Sequence, residues 1–338
     1  MEQSVNLLAN LQSEKAVELK GGLYHKTQIA LTYNSNRIEG STLTEEQTRF
    51  IFETNTIGFK DNDAVNVNDI IETVNHFKAF DFMLDIADKP LSQEQIKNFH
   101  KILKNDTGDI KKGYPVGEYK KYRNEVGGRK TAEPKLVEKE MAALLSKYNA
   151  IKEIKLEDII KFHKDFEDIH PFQDGNGRVG RLIMFKECLK NEITPFIIFD
   201  KTHKQYYYRG LTEFNDEPGF LIGTCQSAQD IYQSWVDYFY GNAKSTAETG
   251  SPKQILTKKQ FVKYLSDIIV MAIDKNGFLT REQIEKLIDP EIQTQNLKKG
   301  KEAFINDLLT KMRREKIIEN TASRKSPKWK LFNKNISK

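Results

Sequence analysis

Apolar residues recur every three or four positions along most of the first 240 residues of the chain. In the segment 65–86, Ile70, Val74, Phe77, Phe80 and Leu84 fall on one face of a helix. That spacing is the period of an amphipathic α-helix and differs from the alternation of a half-buried strand. The segments that repeat the pattern are 91–105, 135–149, 156–170 and 229–241. The first 240 residues are therefore predicted to be mostly helical.

One stretch of this region departs from the helical period. Residues 113–134 contain four Gly and two Pro, with short β-prone pieces between them. Gly and Pro interrupt helices, and a pair of Gly residues between two such pieces favours a tight hairpin turn. We expect a loop with a small β-hairpin here, so the predicted fold class is all-α with one hairpin.

Charge divides the chain into two parts. Residues 251–338 hold 20 Lys and Arg against 10 Asp and Glu, a net charge of +10, whereas the remainder carries a net charge of −5. Between the two parts, residues 241–253 are mostly small or polar and lack apolar periodicity, which is typical of a linker. We expect one domain over 1–240, a linker over 241–253 and a second domain over 254–338.

Composition limits the classes of protein to which the chain can belong. Charged residues make up 30% of the sequence, and no apolar run approaches the ~20 residues of a membrane span. The polar N-terminal residues differ from a secretory signal. Cys188 and Cys225 are too few for a disulfide scaffold or a thiolate zinc site. We expect a cytoplasmic protein that does not contact a membrane.

The second domain combines helical periods with a basic hairpin. Three helices are predicted at 261–273, 280–288 and 301–316, and two alternating segments, 317–320 and 328–332, are predicted to pair as a wing. The third helix buries Ile305, Leu308, Leu309 and Met312. This order resembles a winged helix-turn-helix domain, which implies that the third helix contacts DNA. The alternative is a protein-interaction or dimerisation module, so DNA and a second copy of the chain are both candidate partners.

The densest group of chemically active residues lies in 170–181, between two helical segments. Pro171 ends the first helix, so His170 lies at a helix exit, where it can act as a general base. Gly175 and Gly177 allow a tight turn, after which the N–H groups of the second helix form an anion site.

Three further side chains surround this anion site. Arg178 and Arg181 are three residues apart and suit bidentate phosphate contacts. Asp174 suits a Mg²⁺ ion that is bound together with substrate phosphates. A base, a metal carboxylate, an anion site and two Arg residues within 12 positions predict a phosphate-transfer site.

The string HPFQDGNGRVGR matches the Fic-domain signature HPFxDGNGRxxR at every specified position. The resemblance extends over roughly residues 25–240. It implies an all-helical Fic core with a β-hairpin flap, and transfer of AMP from ATP to a hydroxyl side chain of a target protein. A phosphorylating branch of the family has Lys at the second Gly of the turn and lacks the last Arg. Gly177 and Arg181 therefore favour nucleotidyl transfer.

The same resemblance implies a role for each residue of the signature. His170 would be the base, and Asp174 would hold Mg²⁺, with Mn²⁺ as the alternative ion. Arg178 and Arg181 would hold the β- and γ-phosphates. The α-phosphate site would consist of Gly175, Asn176 and Gly177.

Two other stretches match positions of Fic proteins. The predicted hairpin lies where the family places its flap, along which an extended segment of the target protein binds by backbone hydrogen bonds. The nucleotide-side edge of the flap would consist of Val126, Gly127, Gly128 and Arg129. The residues that match positions lining the adenine and ribose pocket are Tyr207, Tyr208 and Asn215.

A motif near the N-terminus resembles the inhibitory motif of the self-inhibited Fic class. Ser35 and Glu39 in the string SNRIEG are four residues apart and share one face of a helix predicted at about 30–42. The resemblance implies that Glu39 pairs with Arg181, which keeps ATP from binding productively.

Two other functions stay open at this level. One is a nucleotide-sensing, DNA-binding transcriptional regulator, although His170 and Asp174 argue against it because a sensor needs no base. The other is hydrolysis, either at a metal site of His163, His170 and Asp174 or by removal of AMP from a modified protein. In the second case Glu39 would orient a water molecule.

Overall fold

The computed structural model of the chain describes residues 6–57, 64–240, 265–266, 269–270, 272–273, 277–293, 301–321 and 327–332. These residues fall into two units, one within 1–242 and the other within 243–338. Each unit has a hydrophobic core of its own. The predicted linker, 241–253, lies outside the described residues.

The first unit is mostly helical, with one hairpin, as predicted. Its helices are α1 (Leu7–Ala16), α2 (Leu23–Ile38), α3 (Glu45–Thr54), α4 (Val67–Asp85), α5 (Gln93–Lys104), α6 (Gly108–Lys111), α7 (Val137–Asn149), α8 (Leu156–Ile169), α9 (Asn176–Lys190), α10 (Asp200–Glu213) and α11 (Gly219–Tyr240). A 3₁₀ turn, Pro134–Leu136, precedes α7. The prediction of an all-α core is confirmed.

Helix α9 lies at the centre of the first unit. Almost all of its side chains are buried, and its apolar residues, among them Val179, Leu182 and Phe185, are distributed around the whole helix. A helix whose apolar residues point in every direction must be covered on every side, and α2, α4, α5 and α8 pack against it. This packing fixes the position of the first turn of α9, where the predicted site begins.

Local sequence sets the ends of α4 and α5, which pack beneath the site. Asn66 caps α4 by accepting a hydrogen bond from the Asn68 N–H at 2.9 Å. Ser92 caps α5 by accepting one from the Gln95 N–H at 3.2 Å. Side chains at the N-termini of helices satisfy donors that the helix itself leaves free. The two helices thereby start at defined points and present defined faces to α9.

The predicted hairpin is present within 113–134. Strands β1 (Glu125–Val126) and β2 (Arg129–Lys130) pair antiparallel. Gly127 and Gly128 connect them with φ angles of 56° and 74°. Two successive left-handed residues are what a two-residue hairpin turn of type I′ requires, and Gly adopts that conformation without strain.

In the described residues, the second unit has two helices with defined bounds, further helical residues before them and a small antiparallel sheet. The elements are α12 (Arg281–Gln293), α13 (Lys301–Arg314), β3 (Leu279–Thr280), β4 (Ile318–Asn320) and β5 (Lys328–Leu331), with strand order β3-β5-β4. Residues 265–266, 269–270 and 272–273 are helical where the first helix is predicted. The four apolar side chains predicted for the third helix are all buried. Strand β3 was missed because two residues are too short to show a period. The winged-helix assignment stays a prediction.

None of the helices in the described part of the chain is both long enough and apolar enough to span a bilayer.

Candidate functional site

The predicted site lies in the loop that connects α8 to α9. Helix α8 ends at Ile169, and His170 adopts a left-handed backbone conformation with φ of 49°. Helix α9 begins at Asn176, directly after Gly175, which has φ of 82°. These two left-handed residues reverse the chain within a short loop. The free N–H groups in the first turn of α9 therefore face this loop.

Asn176 closes the loop from the inside. Its Oδ1 accepts a hydrogen bond from the Phe172 N–H at 2.8 Å, and its Nδ2 donates one to the Phe172 carbonyl at 2.9 Å. The buried Phe172 ring stacks on the His100 imidazole with centroids 4.0 Å apart. The Asn176 side chain thus holds the loop, which leaves the backbone N–H groups of the turn as the donors for an anion.

His170 lies next to a carboxylate, Glu167. The His170 ring is 16% exposed, and its Nδ1 lies 3.6 Å from Glu167 Oε2. Burial raises the pKa of Glu167, but the neighbouring His170, His163 and Arg181 outweigh burial and lower that pKa below its ordinary value. An ionised Glu167 favours a proton on Nδ1 of His170, which makes Nε2 the basic nitrogen.

Asp174 is half exposed and shares its Oδ2 between two cations. Lys104 Nζ lies 2.6 Å from this oxygen, and Arg178 Nη2 lies 3.4 Å from it. Burial raises the pKa of Asp174, yet Lys104 and Arg178 together hold it well below its usual range. Asp174 is therefore an ionised carboxylate on the accessible side of the loop.

Lys104 is the centre of a charge cluster formed by α4, α5, α6 and the site loop. Its side chain is 2% exposed, and its Nζ lies 2.6 Å from Glu72 Oε1 and 2.7 Å from Asp109 Oδ2. The other oxygen of Glu72 lies 2.6 Å from Arg178 Nη1. The cluster therefore joins the carboxylate that is predicted to bind metal to an Arg that is predicted to bind phosphate.

Arg181 contacts both residues of the predicted inhibitory motif. Its Nη2 donates to Glu39 Oε1 at 2.6 Å and to the Ser35 carbonyl at 3.0 Å, and its Nε donates to the Ser35 hydroxyl at 2.9 Å. Burial lowers the pKa of Arg181, but Glu39 outweighs burial and raises it. A Cβ placed on Gly177 would overlap Glu39 Oε1. The Glu39 carboxylate therefore lies directly over the turn that is predicted to hold phosphate.

Contacts on either side hold the end of α2 in this position. Asn34 Oδ1 accepts a hydrogen bond from the Asp200 N–H at 3.0 Å, which ties α2 to the start of α10. Arg37 Nη1 donates to the Ser41 carbonyl at 2.7 Å, beyond the end of the helix. The helix predicted at about 30–42 is wrong in its bounds: α2 ends at Ile38, and Gly40, with φ of 100°, follows in a conformation that a helix cannot continue through. Glu39 is therefore the residue that follows the last turn of α2, and its position depends on these contacts.

The hairpin is attached to the same loop. The Lys120 N–H donates to the Pro171 carbonyl at 2.9 Å. Arg129 Nη1 lies 3.6 Å from Asp168 Oδ1 near the end of α8. Of the four predicted edge residues, the strands contain Val126 and Arg129, and the turn consists of Gly127 and Gly128. The structure thus places the hairpin beside the segment that carries His170.

The three residues matched to an adenine and ribose pocket lie in different surroundings. Tyr207 is 1% exposed, and its hydroxyl forms a hydrogen bond with His163 Nε2 at 2.6 Å. Tyr208 is 42% exposed, and its hydroxyl lies 3.4 Å from the Ile38 carbonyl at the end of α2. Asn215 is exposed just after α10. Tyr208 is therefore the one whose ring is open to a ligand near Glu39, whereas Tyr207 packs in the core.

The side chains of the site distinguish between two ways of binding a metal ion. In the described part of the chain, no group of three or more His, Cys, Asp or Glu side chains is arranged to hold a metal ion. His163, a ligand in the alternative hydrolase hypothesis, instead bonds to Tyr207. This geometry argues against that hypothesis. Asp174 fits the other mode, in which Mg²⁺ takes one carboxylate from the protein and further oxygens from phosphates and water.

Sequence reasoning missed Glu167, Lys104 and Glu72. Glu167 precedes His170 by three residues, which is the spacing of neighbours on a helix surface, so a signal for it was present. Lys104 and Glu72 lie on different helices, and only the packing of α4 against α5 brings them together.

Comparison with known proteins shows what this region is similar to. Residues 90–188 match the Fic/DOC family. The chain is 28% identical over 194 residues to the protein adenylyltransferase Fic of Nematostella vectensis, with 56% of this chain and 44% of that protein covered. It is 26% identical over 241 residues to the protein of the same name from Culex quinquefasciatus, with 68% and 44% covered. The chain therefore spans less than half the length of these relatives.

Solved structures share the fold. A Fic domain containing signaling protein from Bacteroides thetaiotaomicron superposes with a TM-score of 0.57 at 23% identity, over 72% of this chain and 99% of that chain. A Fic family protein from Desulfovibrio desulfuricans superposes with a TM-score of 0.51 at 20% identity, over 98% and 97% of the two chains. These likenesses confirm the Fic fold predicted for the helical unit.

Proposed function

We propose that this chain, which contains a Fic domain, is a protein adenylyltransferase. It transfers AMP from ATP to the hydroxyl group of a Ser, Thr or Tyr side chain, on a target protein or on itself. The observation that carries the proposal is the geometry of the loop between α8 and α9. His170 ends one helix beside a carboxylate, and the loop faces the N-terminus of the next helix, whose first turns carry Arg178 and Arg181.

His170 is the base in the proposed reaction. It takes the proton of the target hydroxyl as the hydroxyl oxygen attacks the α-phosphorus of ATP. A bond forms between that oxygen and the α-phosphorus, the bond to the β-phosphate oxygen breaks, and pyrophosphate leaves. Glu167 keeps the ring oriented through Nδ1 and stabilises the imidazolium that forms.

The first turn of α9 holds the phosphates in this proposal. The N–H groups at Gly175, Asn176 and Gly177, together with the helix dipole, stabilise negative charge on the α-phosphate. Arg178 and Arg181 contact the β- and γ-phosphates. Asp174 would hold Mg²⁺ or Mn²⁺, which when bound neutralises part of the phosphate charge.

Glu39 is proposed to inhibit the reaction from within the chain. Its ion pair occupies the guanidinium of Arg181, which the γ-phosphate needs. Its carboxylate also lies over Gly177, where it repels an incoming phosphate. ATP therefore meets a site whose anion-binding groups already hold an anion from the protein itself.

The hairpin is the proposed binding site for the target protein. Glu125, Arg129 and Lys130 of its short strands are exposed, so an extended segment can add to an edge by backbone hydrogen bonds. Recognition of this kind places few demands on the target sequence, and the identity of the target is open.

The partners of the second unit and the location of the protein stay predictions. The exposed side of α13 carries Glu302 and Asp307 as well as Arg313 and Arg314. A mixture of charges does not favour phosphate contact over contact with a protein. Binding of DNA and pairing of two copies are therefore secondary to the proposed activity, and a cytoplasmic location stays a prediction from composition.

The test uses ATP that is radiolabelled at either the α- or the γ-phosphate, with cell lysate as the acceptor. Glu39→Gly is expected to place the α label on protein and to leave the γ label in solution. Glu39→Gly/His170→Ala is the matched control and is expected to place neither label. Transfer of the γ label would replace the proposal with phosphorylation. Release of AMP from a labelled target by the wild type would replace it with the hydrolytic alternative.

A further inference from the structure

Lys104 is a buried cation in direct contact with the carboxylate that the proposed reaction assigns to a metal ion. Its Nζ lies 2.6 Å from Asp174 Oδ2, and its side chain is 2% exposed. Its contacts with Glu72 and Asp109, at 2.6 and 2.7 Å, keep the ammonium group in place. Moving the ammonium away would leave Glu72 and Asp109, which are mostly buried, without their shared partner, and an unpaired buried charge is costly.

We propose that Lys104 occupies Asp174 while nucleotide is absent and thereby weakens the binding of a free divalent cation at this carboxylate. This proposal rests on the proposed function, because it takes Asp174 as the metal carboxylate. The ammonium group holds lone pairs of Oδ2 that a metal ion would use, and its charge repels a second cation nearby.

The charges of the cluster explain why nucleotide changes this balance. Glu72, Asp109 and Asp174 face Lys104 and Arg178, and the exposed Lys112 lies 3.5 Å from Asp109 Oδ1. The three carboxylates are thus matched by three cations, and the cluster has no net negative charge with which to attract a free divalent cation. The phosphates of ATP supply further negative charge and further oxygen ligands. The metal ion therefore binds together with ATP, and Glu39, by keeping the γ-phosphate away from Arg181, also disfavours the metal.

The test measures Mn²⁺ binding by electron paramagnetic resonance without nucleotide or acceptor. Lys104→Met is expected to lower the dissociation constant for Mn²⁺ at least about tenfold, because a positive charge next to the ion is removed. Lys101→Met is the matched control, since Lys101 is exposed on the same helix, and it should bind Mn²⁺ as the wild type does. Adding Asp174→Asn to Lys104→Met should abolish the gain.

A second variant covers the case in which Lys104→Met does not fold. Lys104→Met/Asp109→Asn removes one buried charge of each sign and still takes the ammonium away from Asp174 Oδ2. A gain in Mn²⁺ affinity is again expected, smaller than that of Lys104→Met because a carboxylate charge is lost as well. Unchanged or weaker Mn²⁺ binding in the folded Met variants overturns the proposal. If Lys104 had only a structural role, Lys104→Met would lower thermal stability without tightening Mn²⁺ binding. Because the readout needs no AMP transfer, failure of the proposed activity leaves this result interpretable.

Discussion

The hydrogen bond between Ser35 and Arg181 allows the proposed autoinhibition to be weakened without removing the Glu39–Arg181 ion pair. Ser35→Ala removes the hydroxyl that accepts from Arg181 Nε at 2.9 Å and leaves the ion pair with Glu39 in place. Ser35 is 1% exposed and Arg181 is 4% exposed, so water does not replace the lost acceptor. In the proposed active arrangement Arg181 contacts a phosphate in place of Ser35, so the substitution is expected to destabilise only the inhibited arrangement.

The size of the effect follows from the chemistry of this bond. A hydrogen bond to a charged group contributes about 1.5–3 kcal/mol, which corresponds to a roughly 10- to 150-fold change in the ratio of inhibited to open protein. Since activity requires the open arrangement, the rate of AMP transfer should rise by at least about tenfold. Glu39→Gly removes the ion pair itself and should raise the rate further.

The assay is the initial rate of AMP transfer at fixed Mg²⁺ and ATP, measured for the wild type, Ser35→Ala and Glu39→Gly. Ser41→Ala is the control, because this hydroxyl is also buried but accepts a 3.4 Å hydrogen bond from the Leu43 N–H instead. Its rate should equal that of the wild type. A Ser35→Ala rate equal to the wild-type rate, next to an active Glu39→Gly variant, would show that the Ser35 hydroxyl does not stabilise the inhibited arrangement.

Two predictions concern Asn176, which closes the loop, and His100, which packs against it from α5. Asn176→Asp replaces the Nδ2 donor to the Phe172 carbonyl with an oxygen and buries a charge. The free energy of unfolding, measured by urea denaturation, should fall by about 2 kcal/mol or more. An unchanged denaturation midpoint would contradict the role of Asn176 in closing the loop. Burial lowers the pKa of His100 from 6.5 to about 3, so the unfolded chain takes the proton first. The contribution of neutral His100 to stability is complete above pH 6.5 and is lost as the pH falls toward 3. Between pH 7 and 5 this lowers the free energy of unfolding by about 2 kcal/mol. In His100→Gln the free energy of unfolding should change with pH by that much less. An equal pH dependence in the wild type and His100→Gln would contradict the prediction.

Local features of the sequence predicted the ends of the helices at the site well. Pro171 predicts the end of one helix at His170, and the Gly-Asn-Gly turn predicts the start of the next near Asn176. Helix α8 ends at Ile169 and α9 begins at Asn176. These boundaries depend on backbone preferences of the residues at the boundary itself, which is why sequence alone could place them.

Contacts between distant segments could be predicted only where a family motif named them. The pairing of Glu39 with Arg181 was expected from the resemblance to Fic proteins, and the structure has that contact. The Lys104 cluster has no such motif, and a Lys on an amphipathic helix is ordinarily exposed. The burial of Tyr207 could not be predicted from sequence for the same reason. It follows from the packing of α10, and a run of three Tyr residues does not reveal which of them faces the core.

The most direct test of the account compares the wild type, Glu39→Gly and Glu39→Gly/His170→Ala after incubation with Mg²⁺ and ATP. Intact mass spectrometry of the purified chain is combined with α-labelled ATP in cell lysate as the acceptor. We expect an adenylyl adduct on the chain or on lysate proteins with Glu39→Gly, little with the wild type and none with the double variant. An adduct that persists without His170, or no adduct from Glu39→Gly on any acceptor, would contradict it.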